Sequence, residues 1–241
     1  MKSLLFSLLG LVFGFAVMAQ ELKIAPVFGP SVSFAGYSKA YRDVLKNDFP
    51  ELIKDAGGQG KVHILPAVRI QIGGLLDYSL SEVLSVQTGL LFNLRGHSIR
   101  MKVSGNGGTG KAVGKVRVSY LELPLWGKYK MGESGFNVSV GPTFGVALGG
   151  KLRSKYSIDG ESESETESLS IGNDEGLDDV KPLDVSLNLG LAKQISVGEH
   201  PLEVSLNIQP SLTKWTVSSN SEYNGRHITV GIRAAYFFGI K

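Results

Sequence analysis

Large apolar residues alternate with small or polar ones along seven later segments of the chain, each nine or more positions long. The clearest sets Phe136, Val138, Val140, Pro142, Phe144, Val146 and Leu148 on one side. Asn137, Ser139, Gly141, Thr143, Gly145, Ala147 and Gly149 take the other. Side chains of a strand point to opposite faces with period two, so one face here is oily and the other small and wet. Strands of soluble proteins mostly stop near about 5–6 residues, whereas a strand that crosses a bilayer takes roughly 9–11. Length and alternation together predict an all-β fold, a transmembrane β-barrel with lipid outside and a polar interior.

The pattern predicts eight antiparallel strands. The first is Leu22 to Ala35, with Pro26 and Pro30 in its apolar row, where a missing N–H weakens a ladder. Ile64 to Leu80 and Val83 to Ile99 follow, then Lys115 to Lys130 and Phe136 to Leu152. Leu183 to Ile195, Leu202 to Val217 and His227 to Gly239 complete the set. The strand from Lys115 changes phase near Tyr120–Leu121: Val116 and Val118 give way to Leu121, Leu123, Leu125 and Tyr129 on the apolar side, which predicts a bulge there.

The connections alternate in length. Ser81-Glu82, Met131 to Gly135 and Ser196 to Pro201 are short, whereas 36–62, 100–114, 153–182 and 218–226 are long. Bacterial outer-membrane barrels have short periplasmic turns and long outer loops, so both termini are expected in the periplasm. Tyr78, Tyr129, Phe136, Tyr236 and Phe238 all fall on the apolar side at the short-turn ends, where a periplasmic aromatic girdle belongs. Within the first long connection, Tyr41, Val44, Leu45, Phe49, Leu52 and Ile53 recur near helical spacing, and Gly57-Gly58 stop the run. Pro50 interrupts it, so Tyr37 to Ala56 predicts a short broken amphipathic helix outside the barrel.

The amino-terminal end sets the compartment. Lys2 precedes an apolar stretch from Leu4 to Val17, and Val17-Met18-Ala19 has the small-residue pattern of a signal-peptidase site. Residues 1–19 therefore read as a signal peptide cleaved after Ala19, and 20–241 as the barrel domain of an outer-membrane protein. The chain has no Cys, which removes disulfides, thiolate metal sites and a lipid-anchored cysteine. Many of its 31 glycines fall on the polar side of the strands, as a crowded interior requires. A formal net charge of +3 implies no nucleic-acid or polyanion partner. Lipid of the outer membrane is the expected partner, with a protein partner possible through the outer loops.

Val118-Ser-Tyr-Leu-Glu-Leu-Pro-Leu-Trp-Gly-Lys-Tyr129 resembles the signature strand of PorT-type outer-membrane β-barrel domains, a Tyr-Leu-Glu-hydrophobic-Pro-Leu run that ends in Lys-Tyr. Gly141-Pro-Thr-Phe-Gly145 with Gly149-Gly-Lys151 is similar to that family's next strand, and Ile72 to Gly96 to its preceding hairpin. Trp126-Gly127 stands where the family usually has aliphatics, and the chain ends Gly-Ile-Lys rather than on an aromatic. The resemblance implies an outer-membrane barrel and no common activity. It implies no catalytic residues, and some members are linked to protein secretion or cell-envelope assembly.

The inward face carries Arg69, Asp77, Arg95, Glu122, Lys128, Asp184, Glu203 and Arg233. An eight-stranded barrel is wide enough for side chains and little else, so these charges must pair or stay hydrated. A mutually neutralising plug is the main reading, with Arg233 or Arg69 as the natural partner of Glu122. A proton or ion path is the rival. The histidines are His63, His97, His200 and His227. Only His97 adjoins a serine, and neighbours on a strand face opposite sides, which suits neither a lipid hydrolase nor an acyltransferase. The acidic stretch 153–182 lacks EF-hand spacing and reads as a solvated, mobile, like-charged loop. No metal or cofactor is implied. The function expected is a structural or interaction scaffold, with a narrow pore as alternative and a lipid-modifying enzyme as a remoter one.

Overall fold

The computed structural model describes residues 21–55, 57–105, 108–198, 200–217 and 225–240. The signal peptide expected over 1–19, and most of the connection expected over 218–226, lie outside the described residues. Strands β1 (Glu21–Tyr37), β2 (Gly58–Ser79), β3 (Leu84–Gly105), β4 (Gly108–Lys130) and β5 (Phe136–Ile158) run antiparallel in chain order. Then come β6 (Glu161–Leu169), β7 (Leu183–Val197), β8 (His200–Pro210), β9 (Gly225–Tyr236) and the short β10 (Phe238–Ile240). β9 and β10 form one interrupted strand, and both pair with β1, so the sheet closes into a ring of eight with β6 outside it. Closure leaves the ring no free backbone edge, the condition for β-structure in lipid.

Alternation sorts the two faces. Val138, Val140, Phe144, Val146 and Leu148 are exposed on the outside of β5, whereas Asn137, Thr143 and Ala147 are buried inside. The rim with short turns joins β2 to β3, β4 to β5 through a 3₁₀ turn at Gly132–Ser134, and β7 to β8. Tyr78, Tyr129, Phe136, Tyr236 and Phe238 all stand at this rim. There Lys193 Nζ lies 4.3 Å from the ring centre of Phe136, and the rings of Tyr236 and Phe238 are 4.9 Å apart.

At the other rim the structure departs from the expected loops. Residues 100–114 are paired strand almost throughout: β3 and β4 stay in register up to Gly105 opposite Gly108. The acidic stretch is likewise half strand, for β6 pairs with β5 from Glu161 opposite Ile158 to Leu169 opposite Gly150. The turn between them is Asp159-Gly160, both with positive φ (48° and 97°), a two-residue hairpin geometry that matches strand twist. This corrects the mobile-loop expectation, although the glutamates of β6 are exposed. Backbone pairing to a neighbour already in the sheet outweighs their mutual repulsion, because alternate glutamates on one strand stand roughly 6.6 Å apart.

The broken helix is present as α1 (Lys39–Asp43), a π-helical turn Val44–Asp48, and α2 (Phe49–Asp55). Ser38 Oγ caps α1 by accepting from the Tyr41 N–H at 3.2 Å. Pro50 sits in the first turn of α2, where no N–H is needed. Ile53 rests against Gly58 and Gly60 at the start of β2.

The expected phase slip in β4 is absent. Val118, Tyr120, Glu122, Pro124 and Trp126 form one continuous buried row. The irregularity belongs to β5: Ser119 opposes Gly149 and Tyr120 opposes Ala147, which leaves Leu148 as the extra residue. The apolar character of Val116 and Val118 predicts an outward face. They face inward because the interior itself turns apolar at this height, where Tyr37, Tyr120, Val180 and Trp215 pack around Val118.

Candidate functional site

The inward row of β4 is a ruler for the lumen, since Lys128, Trp126, Glu122 and Tyr120 each belong to a different layer. Lys128 lies nearest the short-turn rim. Its Nζ is 2.8 Å from Asp77 Oδ2 and 2.6 Å from Glu203 Oε2. Gln87 Nε2 donates to Asp77 at 2.8 Å and Asn137 Nδ2 to Glu203 at 3.2 Å. Both carboxylates are thus held by the same ammonium and a neutral amide each.

Above this cluster Trp126 fills the bore with Leu75, Leu91 and Phe237, packed on Ala25, Val27 and Ala235. Its indole N–H donates to Thr143 Oγ1 at 2.9 Å, which removes the one polar atom that burial would penalise. The Arg233 guanidinium stacks 4.3 Å over the Trp126 ring and donates to the Asn207 side-chain oxygen. Arg233 also feels the attraction of Glu203 and Glu122, but contacts neither closely enough to form an ion pair.

The middle layer is organised by Arg95 of β3. Its Nη2 is 2.5 Å from Glu122 Oε1 and its Nη1 2.6 Å from Asp184 Oδ2, and all three side chains are buried. Nη1 also donates to Ser211 Oγ at 2.9 Å. Asn93 Nδ2 and Gln209 Nε2 donate to the two Glu122 oxygens, and the Thr213 hydroxyl donates to Asp184 Oδ1 at 3.0 Å. The structure therefore pairs Glu122 with Arg95, not with the Arg233 or Arg69 expected. Period two tells which face a residue takes but not its height or its bearing around the barrel.

Arg69 makes no ion pair with the lumen carboxylates. It is only partly buried, and its guanidinium donates to the backbone carbonyls of Val116 (2.8 Å) and Val68 (3.1 Å). Its place on the inward face agrees with its cross-strand partner Ser31 and with Ala67 and Gln71 two residues either side, all buried.

The last layer is aromatic. Tyr120, Tyr37, Trp215, His97 and His227 close the bore toward the long-hairpin rim, with the Trp215 and His227 rings stacked at 5.2 Å. Tyr37 Oη and His97 Nε2 are 2.6 Å apart. Ser98 lies on the other face of β3 from His97, opposite Lys115. Among the described residues no three of His, Asp and Glu converge on a point that could hold a metal ion. Asn93, Gln87, Gln209 and Trp126 lie on the inward face that the alternation predicts, and what the sequence does not show is which charge each one meets. Their inward parity was readable, since each lies an even number of residues from a named charge.

The model of the outer membrane protein beta-barrel domain family matches residues 19–217. No curated protein matches the chain. Among solved structures, Ail, the attachment invasion locus protein of Yersinia pestis, is 13% identical over 91% of this chain and 100% of its own, with a TM-score of 0.37. Neisserial surface protein A is 8% identical over 89% and 97%, with a TM-score of 0.37. The N-terminal barrel domain of Pseudomonas aeruginosa OprF is 9% identical over 91% and 99%, with a TM-score of 0.31.

Proposed function

The chain belongs to the outer membrane protein beta-barrel domain family, and from that premise we propose that it is a closed, non-conducting barrel whose work is done by the structures at its long-hairpin rim. In this reading the short turns and both termini face the periplasm and the hairpins face outward. The lumen is a neutralised plug, and the barrel is a scaffold that presents a surface. The match of Val118 to Tyr129 to the PorT-type signature strand supports placing it with proteins linked to secretion or envelope assembly.

One observation carries the closed reading. At mid-height, between Asn93, Gln71, Asn207 and Arg233, the free space is about 10 Å³. A single water needs about 10–15 Å³ by the same measure. Beyond that void on either side, each charged cluster ties one cation to two carboxylates, and Arg233 beside the void is held by the Trp126 ring and the Asn207 oxygen. The absence of a catalytic role is part of the same proposal: His97 is engaged by Tyr37, and Ser98 lies on the opposite face.

Planar bilayers test it. Pure protein, inserted and folded, is expected to give no unit conductance steps, and Glu122→Ala is expected to give none either. Reproducible single-channel steps in the natural protein, with ion selectivity altered by Glu122→Ala, would make the lumen a pore and end the plug.

A further inference from the structure

Formal net charge conceals how the charges are sorted between the two faces of the long hairpins. Residues paired across neighbouring strands share a face, so the registers of β2 to β6 can be read as rows. Arg117 is paired with Lys151, and two residues farther out Lys115 is paired with Arg153. Arg100 and Lys155 both pair with Val113 in the next row. The outermost row aligns Lys61, Lys102 and Lys111. These rows continue the lipid-facing side of the barrel, because Val118, between Arg117 and Leu121 on β4, points inward.

All nine cations are at least partly exposed, and among the described residues none lies within ion-pair distance of a carboxylate. The nearest acidic run cannot serve them. Glu163, Glu165 and Glu167 of β6 align with Tyr156, Ser154 and Leu152, and so stand on the opposite face of the same ribbon. Like charges set directly opposite each other destabilise a sheet. This one does so at Arg117–Lys151, Lys115–Arg153, Lys61–Lys102 and Lys102–Lys111. An arrangement repeated so consistently on one face calls for an external anion.

Height identifies which anion. Twelve residues of β4 separate Arg117 from the rim aromatic Tyr129. At roughly 3.3 Å per residue and a tilt of about 40°, this is about 30 Å along the membrane normal. The apolar band of such barrels is about 25 Å tall. Arg117 and Lys151 therefore stand just above the hydrocarbon, at headgroup depth, with the remaining rows above them. The outermost row borders an open concavity of about 550 Å³ lined by Lys61, Lys102, Lys111 and Ser157.

We propose that this face is a binding surface for the phosphate-bearing headgroups of outer-leaflet glycolipid, with Arg117, Lys151, Lys115 and Arg153 as its membrane-proximal anchors. It rests on the outward orientation of the hairpins proposed above. Its occupant follows from continuity with the lipid-facing wall and from charge complementarity.

The test uses the full barrel, folded in vesicles of phosphatidylcholine that contain a minor fraction of bis-phosphorylated lipid A, or the same lipid A with its phosphates removed. Glycolipid retained per barrel is counted by native mass spectrometry after mild extraction. The natural protein is expected to retain the phosphorylated form selectively. Each cation near an anionic surface is worth about fivefold in partitioning. The triple variant Arg117→Ser, Lys151→Ser, Arg153→Ser should thus lose on the order of 100-fold. A matched removal of Lys39, Lys46 and Lys54 from the helical segment should change little.

A heat-dependent shift in gel mobility reports folding separately, so a failed barrel is not mistaken for a failed site. Should the triple variant not fold, Arg117→Gln and Lys151→Gln carry the same test singly, each with a loss of about fivefold. Equal retention by natural and variant barrels, or equal retention of phosphorylated and dephosphorylated lipid, would overturn the proposal. So would tighter binding of a soluble sulfated polysaccharide than of the glycolipid, which would assign the face to a polysaccharide partner.

Discussion

Arg95 holds two carboxylates at once, and all three side chains are buried. Glu122→Ala leaves Asp184 and Ser211 in place but removes the 2.5 Å contact, and it strips Asn93 of its acceptor while Gln209 keeps only Ser186 Oγ. Losing one partner from a buried ion pair costs about 3–5 kcal/mol. Unfolding of the variant in detergent should fall by that order, and Glu122→Gln, which keeps an acceptor oxygen for Asn93, should fall less. Melting of Glu122→Ala alongside the natural protein would show that the cluster contributes no stability. The sequence made Glu122, Arg95, Asp184, Lys128, Asp77 and Glu203 legible as inward charges, because parity on a strand is a local property. It left their grouping unread. Strand tilt and stagger bring Asp184 of β7 level with Arg95 of β3 across the bore, and no local pattern encodes that meeting. The neutral amides that complete the clusters carry no charge to mark them.

Single strands do different work along their length, and β5 is the clearest case. Its 23 residues are about twice what a bilayer crossing takes, so one end lies in lipid and the other stands clear of it. Val140 is exposed on the outer wall, paired with Gly127 and Leu189. Ile158 is also exposed, at the far tip of the same strand. Val140→Arg is expected to cost about 2–4 kcal/mol when folding is measured in vesicles, and Ile158→Arg only about 0–1. Equal costs would mean that the apolar band has been set at the wrong height. The extent of β3, β4 and β5 beyond the band was not legible, because Gly-, Ser- and Lys-rich sequence has weak strand propensity of its own. Pairing with a neighbour already in the sheet overrides that. The Asp159-Gly160 turn was a readable hairpin signal passed over inside an acidic run. Val116 and Val118 differ from expectation for the opposite reason: apolar character predicts a lipid face, whereas the lumen at this height is itself lined with aromatic rings.

At the scale of the molecule, the ring exists only because its first and last strands meet. β1 pairs with β9 from Val27 opposite Ala235 to Tyr37 opposite Gly225, and with β10 below. Every other pairing in the ring joins strands adjacent in sequence or separated only by β6. Contacts between chain ends are the slowest to form, since the whole intervening chain must be gathered before they reward it. No partial assembly has both edges satisfied, and an unsatisfied edge cannot enter hydrocarbon. Removing 225–240 is thus expected to yield no smaller barrel at all: the product should lack the heat-dependent gel shift and be extracted from membranes by carbonate. Excising Glu161–Leu169, which lies outside the ring, should preserve both properties. A truncated chain that still resisted extraction would show that seven strands can close. The seam consequently acts as a timing device. A chain whose first strand must wait for its last stays unfolded, and so transportable, until synthesis and export have delivered all of it.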